Sequence, residues 1–200
     1  PLAIGLRPTA IPFAARVSAK LRETHRNLSI EIYSESTRAI ARRLNDFSLD
    51  AGILYFDDGD PETTEKLYEE RYVFIAPNSL TILKEKQITW EEVAQFPLCL
   101  LTQNMRNRQL IDQQFLELGI SPKIVTEASD FTGVLAQVAL GNAATIAPVS
   151  VAETFLDLKS TVHLDLTHPV MIHSVGLSIK DQSPVLPIIK ALRQAVKAAL

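Results

Sequence analysis

The sequence of 200 residues predicts an α/β fold made of two lobes. Short apolar runs alternate with helical patterns along the chain, which is the order that builds parallel sheets with right-handed crossovers. Two units of alternating strands and helices follow one another, the first before residue 56 and the second after residue 96. Hydrophobic residues make up 46% and charged residues 22% of the chain, a balance typical of globular domains.

The chain begins with a predicted strand at Leu2–Leu6, which a helix follows. Thr9 is the candidate N-cap of this helix, and Pro12 lies near its first turn. Its apolar residues at helical spacing are Ile11, Ala14, Val17 and Leu21. Because Ala15 is apolar as well, the apolar face is wider than a narrow stripe. Two alternatives remain: a surface for a second copy of the chain, or packing of the whole face on its own sheet.

The rest of the first unit contains two strands and one helix. Apolar and polar residues alternate over residues 28–33, which predicts a strand with one more buried face. Ser36 or Thr37 caps the second helix. Its predicted inward-facing residues are Ile40, Leu44 and Phe47. A third strand is predicted at 49–55, and the acidic, turn-rich stretch 56–61 predicts a surface loop.

The second unit repeats this organisation with strands at 97–101, 122–126 and 143–147. Its first helix, over 105–118, ends at Gly119, and its second, which Asp130 caps, ends at Gly141. The remaining predicted elements are an extended segment at 67–76, a short helix at 90–95, strands at 161–166 and 171–179, and a terminal helix that Ser183 caps and Pro184 opens.

These elements predict a first lobe of residues 1–75 with a returning segment, 170–200, and a second lobe of residues 76–169. Two connections would cross from lobe to lobe, one near Phe74–Pro77 and one near Pro169–Ser174. Hinges are expected at such crossings.

Composition and charge exclude several classes of function. The net charge is −3, so this segment offers no basic surface for binding DNA unaided. Its apolar runs are far shorter than a membrane span, and no secretory leader precedes the first strand. The single cysteine, Cys99, lies in an apolar run, where a small core residue is favoured over a reactive thiol. One cysteine cannot form an internal disulfide, which favours a reducing cytoplasm.

The sequence also lacks the motifs of common enzymes and cofactor sites. It contains no dinucleotide-binding glycine motif, no phosphate-binding loop, no nucleophile elbow and no zinc-protease motif. Its four histidines lack partners at metal-ligand spacing. Residues 57–60 resemble a calcium loop, but their order is wrong and the closing glutamate is missing. We therefore expect no catalysis, no cofactor and no metal.

Ligand chemistry is expected where predicted strands end and helices begin, because open parallel sheets bind ligands at the carboxyl ends of their strands. Backbone N–H groups at helix N-termini favour carboxylate, phosphate or sulfate. The simpler alternative is that these residues only cap helices. The four candidate corners are Arg7–Ala10, Ser34–Thr37, Thr102–Asn104 and Ser129–Thr132.

Several segments, taken in order, carry a resemblance to a known family. The first lobe contains LAIGLRPTAIPF, AKLRETHRNLSIEIYSEST and ARRLNDFSLDAGIL, and the second opens with LYEERYVFIAP. MRNRQLIDQQFLELGISPKIVTEASD and VLAQVALGNAATIAP follow, and VGLSIKDQSPVLPIIKAL comes last. From Leu2 to about Ala195, the chain resembles the effector-binding domain of LysR-type transcriptional regulators.

The resemblance implies two Rossmann-like lobes joined by two crossing strands, as in type II periplasmic binding proteins. A small, often anionic effector would bind in the cleft between the lobes. It implies a homodimer or tetramer in the cytoplasm, with no membrane contact, that binds DNA only through an N-terminal helix-turn-helix domain absent from these 200 residues. The residues implied to contact the effector are Pro8, Thr9, Ser36, Thr37, Tyr55, Thr102, Asn104, Phe131 and Thr145.

The chain departs from the family pattern in three places. Tyr55 stands where members that bind aromatic dicarboxylates carry an arginine, which argues against that ligand class. The segment GNAATIAP lacks a common second glycine, and Arg26 replaces a frequent proline. Two other classes of function remain open on the same fold: a solute-binding protein of an ABC importer, which needs a leader or anchor upstream, and an enzyme, which needs an acid–base pair in the cleft.

Overall fold

The structure is a computed structural model that describes residues 1–80, 86–157, 159–180 and 185–200. The chain divides into two compact units. Unit 1 contains residues 1–69 and 173–200, and unit 2 contains residues 70–172. No helix in the described ranges is both long and apolar enough to cross a membrane.

The elements up to residue 77 are β1 (Leu2–Leu6), α1 (Ile11–Thr24), β2 (Ile30–Ser34), α2 (Thr37–Asn45), β3 (Ala51–Tyr55) and β4 (Thr64–Pro77). Those of the next hundred residues are β5 (Gln87–Thr89), α3 (Trp90–Val93), β6 (Leu98–Leu101), α4 (Arg106–Glu117), β7 (Ile124–Ala128), α5 (Phe131–Ala139), β8 (Thr145–Pro148), α6 (Val149–Phe155) and β9 (Thr161–Thr167). The chain then returns to unit 1 through β10 (Ile172–Ser178) and α7 (Pro187–Ala199).

Unit 1 is built on a sheet in which β1 lies between β2 and β3 and runs parallel to both. β10 pairs antiparallel with β3 on the other side. The main core packs α1 and α7 against this sheet. Of the four apolar residues at helical spacing on α1, Ala14, Val17 and Leu21 are buried in that core and Ile11 is partly buried. Ala15, on another side of the same helix, is exposed. Packing within unit 1, against α7 and the sheet, therefore buries most of this face.

Unit 2 contains two sheets and two buried clusters. β4 pairs with both β8 and β9, and β5 extends β9, while β6 and β7 form a separate parallel pair. Trp90 belongs to one cluster, where its ring meets that of Phe115 edge to face at 5.0 Å between centroids. Cys99 belongs to the other cluster and is fully buried.

Local capping signals are confirmed where side chains reach the backbone next to them. Ser36 caps α2 by accepting from the Ala39 N–H, and Asp130 caps α5 by accepting from the Gly133 N–H. Gly119 and Gly141, which follow α4 and α5, have φ of +69° and +80°. Both glycines adopt the left-handed conformation that side chains disfavour.

Two expectations about helices are wrong. Phe47 does not continue the inward face of α2, because the helix already ends at Asn45. Phe47 has a φ of +57° and its side chain is 61% exposed. The bond from the Ser48 N–H to the Arg43 carbonyl closes the helix end and turns Phe47 outward. The terminal helix begins at Pro187, so Pro187 rather than Pro184 supplies the proline of the first turn. Ser183 and Pro184 lie outside the described residues.

Candidate ligand-binding site

The carboxyl ends of three parallel strands meet at one edge of the unit 1 sheet. Leu6, the last residue of β1, lies opposite Ser34 of β2 and Ile53 of β3. The Glu35 N–H donates to the Leu6 carbonyl at 3.0 Å, which ties the chain leaving β2 to the end of β1. The corners that begin α1 and α2 are therefore neighbours, and Tyr55 ends β3 at the same edge.

Thr9 does not cap α1, contrary to the expectation from the sequence. Pro8 opens a short 3-10 turn, Pro8–Ala10, so the backbone is already helical before Ile11. The N-cap of α1 is Ala10, whose methyl side chain cannot accept a hydrogen bond. Thr9 is 1% exposed, and its hydroxyl accepts a hydrogen bond from the Nη1 of Arg7.

Arg7 is a candidate functional residue that lies in a corner predicted from the sequence but was not among the residues implied to contact the effector. Its guanidinium carbon lies 3.8 Å from the centroid of the Tyr55 ring, and both side chains are buried. His173 meets the same ring edge to face at 5.6 Å. The available signal was a cation placed directly after an apolar strand and before Pro8. The Arg7 guanidinium places a positive charge against the Tyr55 ring. Tyr55 is the position at which members that bind aromatic dicarboxylates carry an arginine.

The N-terminus of α2 carries hydroxyl groups, and the side chain of Arg43 in the last turn reaches back to Glu35, the residue before the cap. Ser36 is the N-cap, and the buried Oγ1 of Thr37 has no hydrogen-bond partner among the residues described. The segment Thr37–Asn45 contains no acidic residue. Arg43 donates to Glu35 at 2.8 Å and lies 4.1 Å from the Tyr33 ring centroid. The hydrogen bond to Glu35 raises the pKa of Arg43.

Unit 2 has a similar edge where β6 and β7 end. The two strands are parallel, and the Thr102 N–H donates to the Ala128 carbonyl at 3.0 Å. The Thr102 hydroxyl donates to Oδ1 of Asn104 at 2.7 Å. Phe131 begins α5 beside this edge, but it is 5% exposed and packs in the core of its own unit.

Arg108 of α4 holds this second edge together. Its Nη1 donates to the Leu101 carbonyl at 2.8 Å and also to Glu127 of β7, while its Nε donates to Asp112 at 2.8 Å. Burial alone lowers the pKa of Arg108, but the hydrogen bonds to Asp112 and Glu127 outweigh it and raise the pKa. The buried guanidinium thus joins the ends of β6 and β7 at the point where Thr102 begins the next corner.

Both edges carry hydroxyls, amides, backbone N–H groups and guanidinium, which bind anions and do not transfer protons at neutral pH. The carboxylates at the same edges, Glu35, Glu127 and Asp130, accept hydrogen bonds from Arg43, Arg108 and the Gly133 N–H. Cys99 is not a nucleophile candidate, because burial raises the pKa of its thiol and disfavours the thiolate. In the part of the chain that the structure describes, no three His, Cys, Asp or Glu side chains come together as a possible metal site.

The family described as the LysR substrate binding domain matches residues 1–200. The chain belongs to this family. Its membership confirms the resemblance seen in the sequence and the type II periplasmic-binding-protein-like fold.

Relatives of this LysR-type domain include regulators of two other organisms. A probable RuBisCO transcriptional regulator of Trieres chinensis is 26% identical over 156 residues, which are 72% of this chain and 50% of the relative. This chain thus matches only half the length of that relative. The solved structure of the CcmR regulatory domain of Synechocystis PCC6803 in complex with 2-PG has a TM-score of 0.84 at 12% identity. The match covers 98% of this chain and 95% of the CcmR chain.

A third relative is the reduced form of the OxyR regulatory domain from Pseudomonas aeruginosa. Its TM-score is 0.84 at 18% identity, and the match covers 99% of this chain and 97% of that one. At these identities, both solved structures show the fold of this LysR-type domain and not its ligand.

The residues that the sequence implicated in effector binding do not all lie at the two edges of this LysR-type domain. Those at the unit 1 edge are Pro8, Thr9, Ser36, Thr37 and Tyr55, and those at the unit 2 edge are Thr102, Asn104 and Phe131. Thr145 lies at the start of β8, beside the residue that bridges to Leu98 at the start of β6. Thr145 is 1% exposed, and its hydroxyl has no hydrogen-bond partner in the described ranges.

Proposed function

We propose that this domain senses a small anion for a LysR-type transcriptional regulator. The observation that carries the proposal is the position of helix N-termini at the carboxyl edges of the parallel strands in both units. Each N-terminus supplies unpaired backbone N–H groups and the positive end of a helix dipole. Anions are the ligands that such a site prefers.

The two edges supply different groups for binding an anion. In unit 1, Ser36 and the N-terminus of α2 lie beside the Arg7–Thr9 pair, which adds a buried positive charge. In unit 2, the hydroxyl of Thr102 donates to Asn104, so the amide group of Asn104 keeps its own N–H donors for a ligand. We propose that the effector binds at the unit 1 edge, where Tyr55 presents a ring to its apolar part, and that the groups at the unit 2 edge also suit an anion.

The wider regulator is part of the same proposal. The domain would act as a homodimer or tetramer in the cytoplasm, and DNA binding would belong to a separate domain of the full-length protein. A ligand can change the regulator only if it binds one conformation more tightly than another. The sequence predicts the crossings near Phe74–Pro77 and Pro169–Ser174, whereas the division into compact units falls at 69/70, earlier than the first, and at 172/173, within the second. We propose that these two crossing segments absorb the backbone rotation.

The test compares two N-cap variants by calorimetric titration with acetate and inorganic pyrophosphate. Ser36→Ala removes a hydroxyl at the proposed site, whereas Thr89→Ala removes the cap of α3, away from both edges. Both variants should lose similar stability, about 1 kcal/mol. Only Ser36→Ala should weaken anion binding, by about tenfold.

Equal dissociation constants for the wild type and Ser36→Ala would show that Ser36 is a helix cap and nothing more. An equal loss of affinity in Thr89→Ala would show that the change follows stability rather than position. Either result contradicts an effector contact at this corner.

A further inference from the structure

We propose that Arg38 and Arg42 form a second anion subsite next to Ser36, so that the effector carries at least two negative charges. The inference rests on the proposed function and names the class of effector. Phosphate monoesters and dicarboxylates share the required chemistry, which is two anionic groups on one small molecule.

A surface pocket of unit 1 is the first support for this subsite. Its volume is about 270 Å³, and it is lined by Ser36, Arg38, Ala39 and Arg42. The small side chain of Ala39 leaves space between the hydroxyl of Ser36 and the two arginines. The pocket therefore continues from the N-terminus of α2 along the helix surface.

The position of Arg38 is unfavourable for the helix when no anion is present, whereas Arg42 lies in the last turn, where the helix dipole favours a cation. Residues four apart on a helix are neighbours, so Arg38 and Arg42 place like charges side by side, which costs a few tenths of a kcal/mol. Arg38 also lies in the first turn of α2, where the helix dipole disfavours a cation. An anion in the pocket would offset both costs.

The arginines of α2 differ in whether their side chains are already paired. Arg43 forms a salt bridge with Glu35 at 2.8 Å and thus has a structural role. Among the residues that the structure describes, the side chains of Arg38 and Arg42 form no salt bridge and no hydrogen bond. Hydrogen bonds from Ser48 lower the pKa of Asp46, and the nearby charge of Arg42 adds to this effect. Two exposed guanidinium groups thus remain for a ligand.

The chemistry of guanidinium assigns roles to the two parts of the pocket. Its planar fork donates two parallel hydrogen bonds to carboxylate or phosphate, and it stays charged at every physiological pH. One anionic group of the effector would bind the N–H groups of α2 and the hydroxyl of Ser36. The second would bind Arg38 and Arg42.

The test uses acetate as a singly charged probe and inorganic pyrophosphate as a multiply charged one, titrated by calorimetry at constant ionic strength. The variant is Arg38→Gln/Arg42→Gln, and the matched control is Arg22→Gln/Arg26→Gln, which changes the net charge equally at exposed positions of the same unit. All four side chains are exposed, so both variants should remain folded.

We expect the Arg38→Gln/Arg42→Gln variant to bind pyrophosphate about tenfold more weakly and acetate as the wild type does. The control should bind both probes like the wild type. Unchanged pyrophosphate affinity, or an equal loss in the control, would overturn the subsite. If Ser36→Ala still weakens both probes in that case, the proposed function stands without the subsite. If Ser36→Ala weakens neither, the proposed function fails, and a wild type that binds no probe overturns both.

Discussion

Replacing Trp90 with alanine is expected to lower the free energy of unfolding by about 3–5 kcal/mol. Trp90 is fully buried, packs edge to face on Phe115, and donates its indole N–H to the Pro169 carbonyl at 2.8 Å. The variant loses the packing of the ring and leaves that carbonyl without its donor. Urea denaturation followed by circular dichroism measures the effect without depending on tryptophan fluorescence.

The control for this prediction is Trp90→Phe, which keeps an aromatic ring against Phe115 but removes the N–H donor. It should cost about 1–3 kcal/mol, the penalty of a buried acceptor that loses its partner and of a smaller ring. A loss under 1 kcal/mol for Trp90→Ala would contradict the burial of the ring in the core of unit 2.

Replacing Arg108 with methionine is expected to destabilise the domain by about 2–4 kcal/mol and to weaken anion binding as well. Methionine fills part of the space, but it cannot bond the Leu101 carbonyl, Asp112 or Glu127. The loss stays below that of a wholly buried ion pair because both carboxylates are about 40% exposed and water solvates them.

Arg71→Met is the matched control for Arg108→Met. Arg71 pairs with Asp165 on the surface of the same unit, where such a pair contributes about 0–1 kcal/mol. Urea denaturation and pyrophosphate titration together separate the two roles of Arg108. If both variants lose the same small stability and bind equally well, Arg108 does not hold the Thr102 edge in place.

Features that depend on residues close in sequence could be predicted well. The caps at Ser36 and Asp130 reach N–H groups three residues away, and the glycines after α4 and α5 occupy conformations that few other residues adopt. The strands of the parallel sheets were predicted within a few residues for the same reason. In each case, one short segment contains the whole cause.

Features that depend on contacts between distant segments could not be predicted. Arg7 and Tyr55 are 48 residues apart, and only the pairing of β1 with β3 brings the guanidinium over the ring. That guanidinium engages the hydroxyl of Thr9, which the local pattern had assigned to capping. Arg108 likewise acquires its role from Leu101 and Glu127, which lie on two strands.

Some errors arose because one pattern fits two structures. Phe47 continues the helical spacing of Ile40 and Leu44, but the helix end places it outside. The edge strand β2 shows the same ambiguity, since Ile32 alternates correctly with polar neighbours and yet is 44% exposed. Periodicity identifies a face, but the neighbours on that face decide whether it is buried.

The most direct test of the central claim is a titration of the isotopically labelled domain with pyrophosphate, followed by the backbone amide signals in nitrogen–proton NMR spectra. The account predicts that the largest shifts occur at the N-terminus of α2, around Ser36, and at Thr9 of the same edge, and that these signals fit one dissociation constant. Signals of β9 should not move. No saturable shift at these amides, or shifts confined to surfaces away from both edges, would contradict an anion-sensing domain.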